Sequence, residues 1–320
     1  MSPGPFALLL GTLLVASALA GCSEPARQRK NIKDLTPAER QDFVNAVLAL
    51  KRTPSPYDGT LSWYDQFVLF HRQVYEYRRK DTHDNEYQIG HESPTFLPWH
   101  RKFLFMYEQA LSEVSGKDIS LPYWDWTDTE SLGVLFAEDF MGPSGDKDSG
   151  YAVLSGPFRK DTWKIQVFPK DQETKQEITT PWLIRRRGDE ASPIVPLPTT
   201  ADMEECLRVE TYDVTPWNKC SDRAESFRNC LEGWGTTNED NHMHNTAHIW
   251  VGGVFMDNGM EVMGSMAAVD TSPNDPIFFL HHANVDRLWA EWQQRHGISY
   301  LPNGDGRPGW NPGESLYPCS

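Results

Sequence analysis

Ten histidines occur in this chain, and they fall into two clusters. His71, His83, His91 and His100 form the first; His242, His244, His248, His281, His282 and His296 form the second. Several are set among apolar residues, where an imidazole that gives up water needs a partner. Two clusters suggest two sites, or two halves of one. His244 and His248 are four apart in a segment of helical pattern, so both rings leave one helix face a turn apart. Alone, such a pair is weak evidence, since it also occurs as a surface feature. His282 strengthens it, because it follows the apolar run Pro276-Ile277-Phe278-Phe279-Leu280. The first cluster repeats the scheme, with His71 on one helix, His100 at the start of another and His91 in the loop between. Three neutral imidazoles per metal, without carboxylate or thiolate, suit copper or zinc and disfavour iron held by two histidines and a carboxylate. A site with open coordination positions points to catalysis.

The segments carrying these residues are helical by pattern. Thr36-Pro37-Ala38-Glu39 is a capping box with proline at the first helical position, and Phe43, Val44, Val47 and Leu48 recur at helical spacing up to about Lys51. Residues 61–80 lack Gly and Pro and place Trp63, Phe67, Phe70, His71, Val74 and Tyr77 on one stripe, which turns His71 inward. A third helix is expected from Pro98 to Val114, stopped by Gly116. Two more are expected, one near 239–250 and one from Asp275 to His296. Residues 127–225 are rich in Gly, Pro and Asp and read as long loops, with Trp163 to Phe168 as a short strand candidate. The fold class that follows is mainly α: a four-helix bundle around the site, with long loops and minor β strands.

Residues 6–20 are an uncharged apolar run, short for a bilayer span and suited to a signal-peptide core. Leu19-Ala20-Gly21-Cys22 is similar to a bacterial lipobox, although no Lys or Arg precedes it. Two readings stay open, a lipoprotein anchored through Cys22 or an ordinary secreted protein, and both place the chain outside the cytoplasm. The expected organisation is a signal over 1–21, a polar linker over 22–35 and one domain over 36–320. Cys206, Cys220, Cys230 and Cys319 then allow one or two disulfides in any of three pairings. A formal charge of −15 argues against nucleic acid or an anionic membrane as partner. A neutral or cationic small molecule fits better.

Gly90-His91-Glu92-Ser93-Pro94-Thr95-Phe96-Leu97-Pro98-Trp99-His100-Arg101-Lys102-Phe103-Leu104 resembles the first copper signature of the tyrosinase family. The run Asn274 to Trp289, with His281-His282-Ala283-Asn284-Val285-Asp286-Arg287 at its centre, resembles the second. Leu121-Pro122-Tyr123-Trp124-Asp125-Trp126, Gly156-Pro157-Phe158, Phe227-Arg228-Asn229 and Leu231-Glu232-Gly233-Trp234 extend the resemblance over most of residues 61–317, with bacterial tyrosinases the nearest in kind. It implies two copper ions, one held by His71, His91 and His100 and the other by His244, His248 and His282, with His281 a neighbour. His83, His242 and His296 are left as solvated surface residues.

The resemblance also implies an oxidoreductase that uses O2 on a phenolic small molecule, hydroxylating monophenols and oxidising o-diphenols to o-quinones. A monophenol must first lose a proton with a pKa near 10. The family's arrangement for this, a water held by a Glu and an Asn, maps onto Glu232 and Asn245. Val269 corresponds to a small apolar position over the site. Ile249 stands where some relatives have Arg, which favours uncharged or cationic phenols. Ile89 occupies the position where fungal and plant members often have a Cys, so the thioether they form to the second ligand is ruled out. Only 38 residues follow His282, so no covering C-terminal domain is expected, and the enzyme is expected either to be made active or to depend on a separate copper-delivering partner. The competing readings are a catechol oxidase or o-aminophenol oxidase, a haemocyanin-like oxygen carrier, whose units shield the copper with a second domain, and a relative that binds zinc.

Overall fold

A computed structural model describes residues 28–80, 86–170, 176–191, 193–235, 242–257 and 259–297. The proposed signal segment, Cys22, His83 and Cys319 lie outside the described residues. Helix α1 (Pro37–Arg52) opens with the expected capping box, in which Thr36 accepts from the Glu39 amide and Glu39 accepts from the Thr36 amide. Helices α2 (Trp63–Glu76) and α3 (Phe96–Ser115) follow, and α3 ends at Gly116 with φ 64°. Two short helices, α4 (Ser131–Leu135) and α5 (Thr200–Leu207), precede α6 (Phe227–Glu232), α7 (Met243–Gly252) and the long α8 (Ile277–His296). The only sheets among the described residues are two antiparallel hairpins, β1 (Arg78–Lys80) with β2 (Glu86–Gln88) and β3 (Val254–Asp257) with β4 (Met260–Met263).

The bundle that carries the histidines is α2, α3, α7 and α8, with α1 packed against α2 and α3. Its interior is aromatic. Phe67, Phe103, Tyr107, Phe278 and Phe279 are buried between α2, α3 and α8, and Tyr64 adds a hydrogen bond to the Pro273 carbonyl at 2.6 Å. Ring pairs in offset and edge-on contact, such as Phe67 with Tyr107 at 5.3 Å, contribute beyond the area they bury. The start of α8 is fixed by Arg185, fully buried, which grips Asp275 through two hydrogen bonds of 2.9 and 3.0 Å and donates to the carbonyls of Met141, Gly142 and Pro143. A buried charge is tolerated here because every donor has a partner.

Four expectations need correction. Helix α2 stops at Glu76, not at residue 80, because Arg78, Arg79 and Lys80 bring no apolar side chain to the core and their backbone instead pairs with β2. Trp163 to Phe168 form no strand. Trp163, Ile165 and Val167 do point inward, but Ile165 donates to the carbonyl of Pro181, which has no N–H to return, and the Val167 carbonyl is taken by the Asn274 side chain. The region read as loops also contains α4 and α5, the latter started by a capping box of Thr199 and Asp202. Residues 28–35, taken as the end of a tether, are docked: Ile32 is buried, its amide donates to the Tyr123 carbonyl, and Arg29 pairs with Glu108 and Asp286.

Candidate metal centre

Seven histidines meet in two groups inside the bundle. His71, His91 and His100 form one, and His244, His248, His281 and His282 the other; within each, the ligating atoms all lie within 4.8 Å of one another. All seven are buried. The groups share a wall, since the rings of His100 and His282 stack at 4.2 Å and 10°.

In the first group, His71 projects from α2 and His100 from α3. Their Nδ1 atoms lie 3.0 Å from the Asp270 carbonyl and 2.8 Å from the Phe96 carbonyl. A neutral imidazole donating from Nδ1 keeps its lone pair on Nε2. Both Nε2 atoms are buried and have no hydrogen-bond partner. His91 arrives from the loop before α3, where the chain is tightly constrained. A Cβ on Gly90 would stand 2.4 Å from Val74 Cγ1, and Glu92 takes a φ of 52°, a region non-glycine residues rarely enter.

The second group is tighter. The Nε2 atoms of His244, His248 and His282 are 3.0, 3.2 and 3.3 Å apart. Three nitrogens at about 2.0 Å from one tetrahedral metal would stand about 3.3 Å from each other. Because His244 Nδ1 donates to the Glu232 carbonyl (3.1 Å) and His248 Nδ1 to the Met266 carbonyl (2.9 Å), their Nε2 atoms face each other as lone pairs, which a cation between them resolves. His281 is not part of this triangle. It stacks on His244 at 4.9 Å and lies 5.1 Å from Trp126, with both ring nitrogens buried and unpartnered.

Burial lowers the pKa of all seven imidazoles, to about 3 for His71 and about 4 for His248. Each is neutral at physiological pH, the form that binds a metal. Orphaned Nε2 atoms, a triangle of ligand spacing and an all-imidazole donor set fit a pair of copper ions.

Around this centre, Glu232 is buried at the end of α6, where burial pushes its carboxyl up against the opposing pull of the Arg228 guanidinium. Its Oε1 accepts from the Glu92 amide at 2.6 Å and its Oε2 from Arg228 at 2.9 Å. Gly233, at φ 94°, lets the chain pass so close to the His242 carbonyl that a Cβ would sit 1.9 Å away; this brings Glu232 beside His244. Asn245 is half-buried, with Oδ1 3.0 Å from His244 Nδ1 and a buried Nδ2 that has no partner. Ile249 is half-buried and Val269 is 36% exposed. The expectation of a solvated His296 is corrected: it is half-buried, and its Nε2 lies 2.8 Å from the Leu207 carbonyl. His242 is half-buried as well. Sequence reasoning missed the carbonyls of Phe96, Asp270 and Met266; His281 lies beside the second group's triangle, as a neighbour.

Residues 61–295 match the family described as the common central domain of tyrosinase. A tyrosinase of Streptomyces antibioticus is 42% identical over 280 residues, 86% of either chain. A grixazone synthase of Streptomyces griseus is 37% identical over 86% of this chain and 87% of its own. Among solved structures, a polyphenol oxidase from Thermothelomyces thermophila is similar with a TM-score of 0.58 and 25% identity, over 87% of this chain and 72% of that one. A Burkholderia thailandensis tyrosinase shares the fold with a TM-score of 0.55 at 20% identity, over 91% of this chain and 68% of the other. The chain belongs to the tyrosinase family. It is a copper-dependent enzyme of the type-3 class, a tyrosinase that carries two copper ions and is similar to the bacterial members.

Proposed function

We propose that the enzyme hydroxylates monophenols and oxidises o-diphenols to o-quinones with O2, one copper being held by His71, His91 and His100 and the other by His244, His248 and His282. When bound, the copper pair supplies dioxygen activation and takes up the substrate's electrons. The protein's own task is to place the ring and move its proton. The observation that carries this reading is that Glu232 and Asn245 flank the same imidazole, both bonding His244 Nδ1, one by its main chain and one by its side chain. The free Nδ2 of Asn245 donates to a water, the buried Glu232 carboxylate accepts from it, and the phenol proton passes through that water to the carboxylate. Val269 at the rim and Ile249 beyond His248 offer apolar contact to the ring and no cation, which suits an uncharged or cationic phenol. A negative chain disfavours anionic substrates in the same sense.

One observation favours an enzyme restricted to o-diphenols: both oxygens of Glu232 already hold partners. Oxygen uptake by the copper-loaded protein with tyramine and with catechol separates the two. Turnover of both, with Glu232→Gln losing tyramine turnover selectively, supports hydroxylation; catechol turnover alone reduces the function to diphenol oxidation.

The same reading extends to location. The apolar run 6–20 followed by Cys22 supports export, as a secreted or lipid-anchored protein, and the Cys206–Cys230 disulfide suits an oxidising compartment. A separate copper-delivery protein and a role of the quinone products in melanin formation belong to this proposal too. Mass spectrometry of the mature N-terminus tests it, with a diacylated Cys22 expected for the anchored form and an unmodified start expected for the secreted one; an intact Met1 overturns export.

A further inference from the structure

Arg228 lies in α6, one turn before Glu232, and is completely buried. Its guanidinium has no idle face. Nε and Nη2 hold the two oxygens of Asp213 at 2.9 and 3.0 Å, and Nη2 also donates to the Asn218 carbonyl at 2.9 Å. Nη1 donates to Asn229 Oδ1 at 3.0 Å and to Glu232 Oε2 at 2.9 Å. Asp213 is fixed in turn by Ser226 Oγ at 2.8 Å and by the Val214 amide at 2.9 Å. One guanidinium thus serves two buried carboxylates, of which only Glu232 reaches the metal centre. The far oxygen of Glu232 takes the amide of Glu92, directly after His91, while its carbonyl takes His244 Nδ1. A carboxylate clamped on both oxygens has one orientation, and that orientation spans the two histidine groups.

We propose that Arg228, aimed by Asp213, is the positioning residue for Glu232 and thereby controls hydroxylation of monophenols without controlling oxidation of diphenols. This rests on the reading of Glu232 given above. A residue that only stabilised the fold would affect both reactions alike. A planar, five-donor guanidinium meets both carboxylates at fixed angles, whereas a lysine ammonium supplies the charge without the fork.

The test uses full-length, copper-loaded enzyme with two copper ions per chain verified, and reads kcat for tyramine against kcat for catechol. Arg228→Gln is expected to lower the tyramine-to-catechol ratio by about 10–100-fold, the usual cost of losing a group that orients a metal-site residue. Arg228→Lys is expected to recover part of that ratio. Should Arg228→Gln fail to fold with Asp213 left unpaired, Asp213→Asn/Arg228→Gln removes both charges and is expected to show the same lowered ratio. In a Glu232→Gln background, Arg228→Gln is expected to cause no further fall in the ratio, because the two residues act as one unit. An unchanged ratio in the folded Arg228 variants, or an additive fall in the double variant with Glu232→Gln, overturns the proposal. If Glu232→Gln itself leaves the ratio intact, it is the Glu232 reading that fails.

Discussion

The two halves of the metal centre are built differently. In the second half, α7 delivers His244 and His248 at a spacing of four residues and α8 delivers His282, so all three ligands come from helices and their Nε2 atoms converge to within 3.0–3.3 Å. In the first half, two ligands come from helices but His91 comes from a loop, held by Gly90 against Val74 and by Glu92 at a left-handed φ. Each half leaves one Nδ1 without a partner, that of His91 in the first and of His282 in the second, so the halves differ in the loop that carries His91 and not in the number of carbonyl-held rings. The ring centroids of the first half are 4.9 to 5.8 Å apart, against 4.5 to 5.5 Å in the second. Preorganisation costs nothing at the moment of metal binding, so the second half should hold copper more tightly than the first.

The largest expected effect tests that ranking. His282→Ala and His91→Ala should each leave one copper per chain and no phenol turnover. The copper remaining in His91→Ala, held by the second half, should resist a chelator better than the copper remaining in His282→Ala. His281→Ala should keep two coppers, since His281 lies outside the Nε2 triangle; a loss of one would make it a ligand and redraw the second half.

Next in size is the acid response of the copper-free protein. Burial lowers the imidazole pKa values in the folded state, to about 3 for His71 and about 4 for His248, against about 6.5 when unfolded. A depressed folded pKa means that the unfolded chain takes up the protons first. Stability is therefore full above about pH 6.5 and falls as pH drops from there towards 4. Urea midpoints measured between pH 8 and 4 should decline over that window, and midpoints independent of pH would contradict neutral, buried imidazoles.

The Cys206–Cys230 disulfide ties α5 to α6, which ends at Glu232, whose carbonyl holds the His244 ring directly while its carboxylate reaches the first half only through the Glu92 amide. Cys206→Ser/Cys230→Ser should lower unfolding stability by about 3 kcal/mol. Copper at the second half should loosen with it, and more than copper at the first half. Gly90→Ala is the mirror test. Its new methyl meets Val74, at an overpacking cost of about 1–3 kcal/mol. The displaced His91 should weaken copper at the first half alone, as read by chelator competition.

The parts legible in the sequence were those that repeat with helical period. His71 shares its stripe with Phe67 and Val74, and all three are buried on α2. His244 and His248 are a turn apart and meet as expected. What could not be read is what every residue possesses. The carbonyls of Phe96, Asp270 and Met266 fix three imidazoles, and no side chain advertises them. Arg228 stood in the sequence as part of a motif, but its tie to Asp213, fifteen residues earlier, exists only once α6 is folded onto the preceding loop. Helix α5 escaped notice because eight residues carry little periodic signal. Trp163 to Phe168 has the composition of a strand and turns Trp163, Ile165 and Val167 inward, but its backbone joins no ladder.

Copper stoichiometry combined with electron paramagnetic resonance tests the central claim most directly. The protein loaded with Cu(II) should hold two ions per chain yet show far fewer than two spins, because ions in adjoining histidine groups couple. Loading with two ions and a full, uncoupled signal from both would contradict a shared dicopper centre built from these two groups.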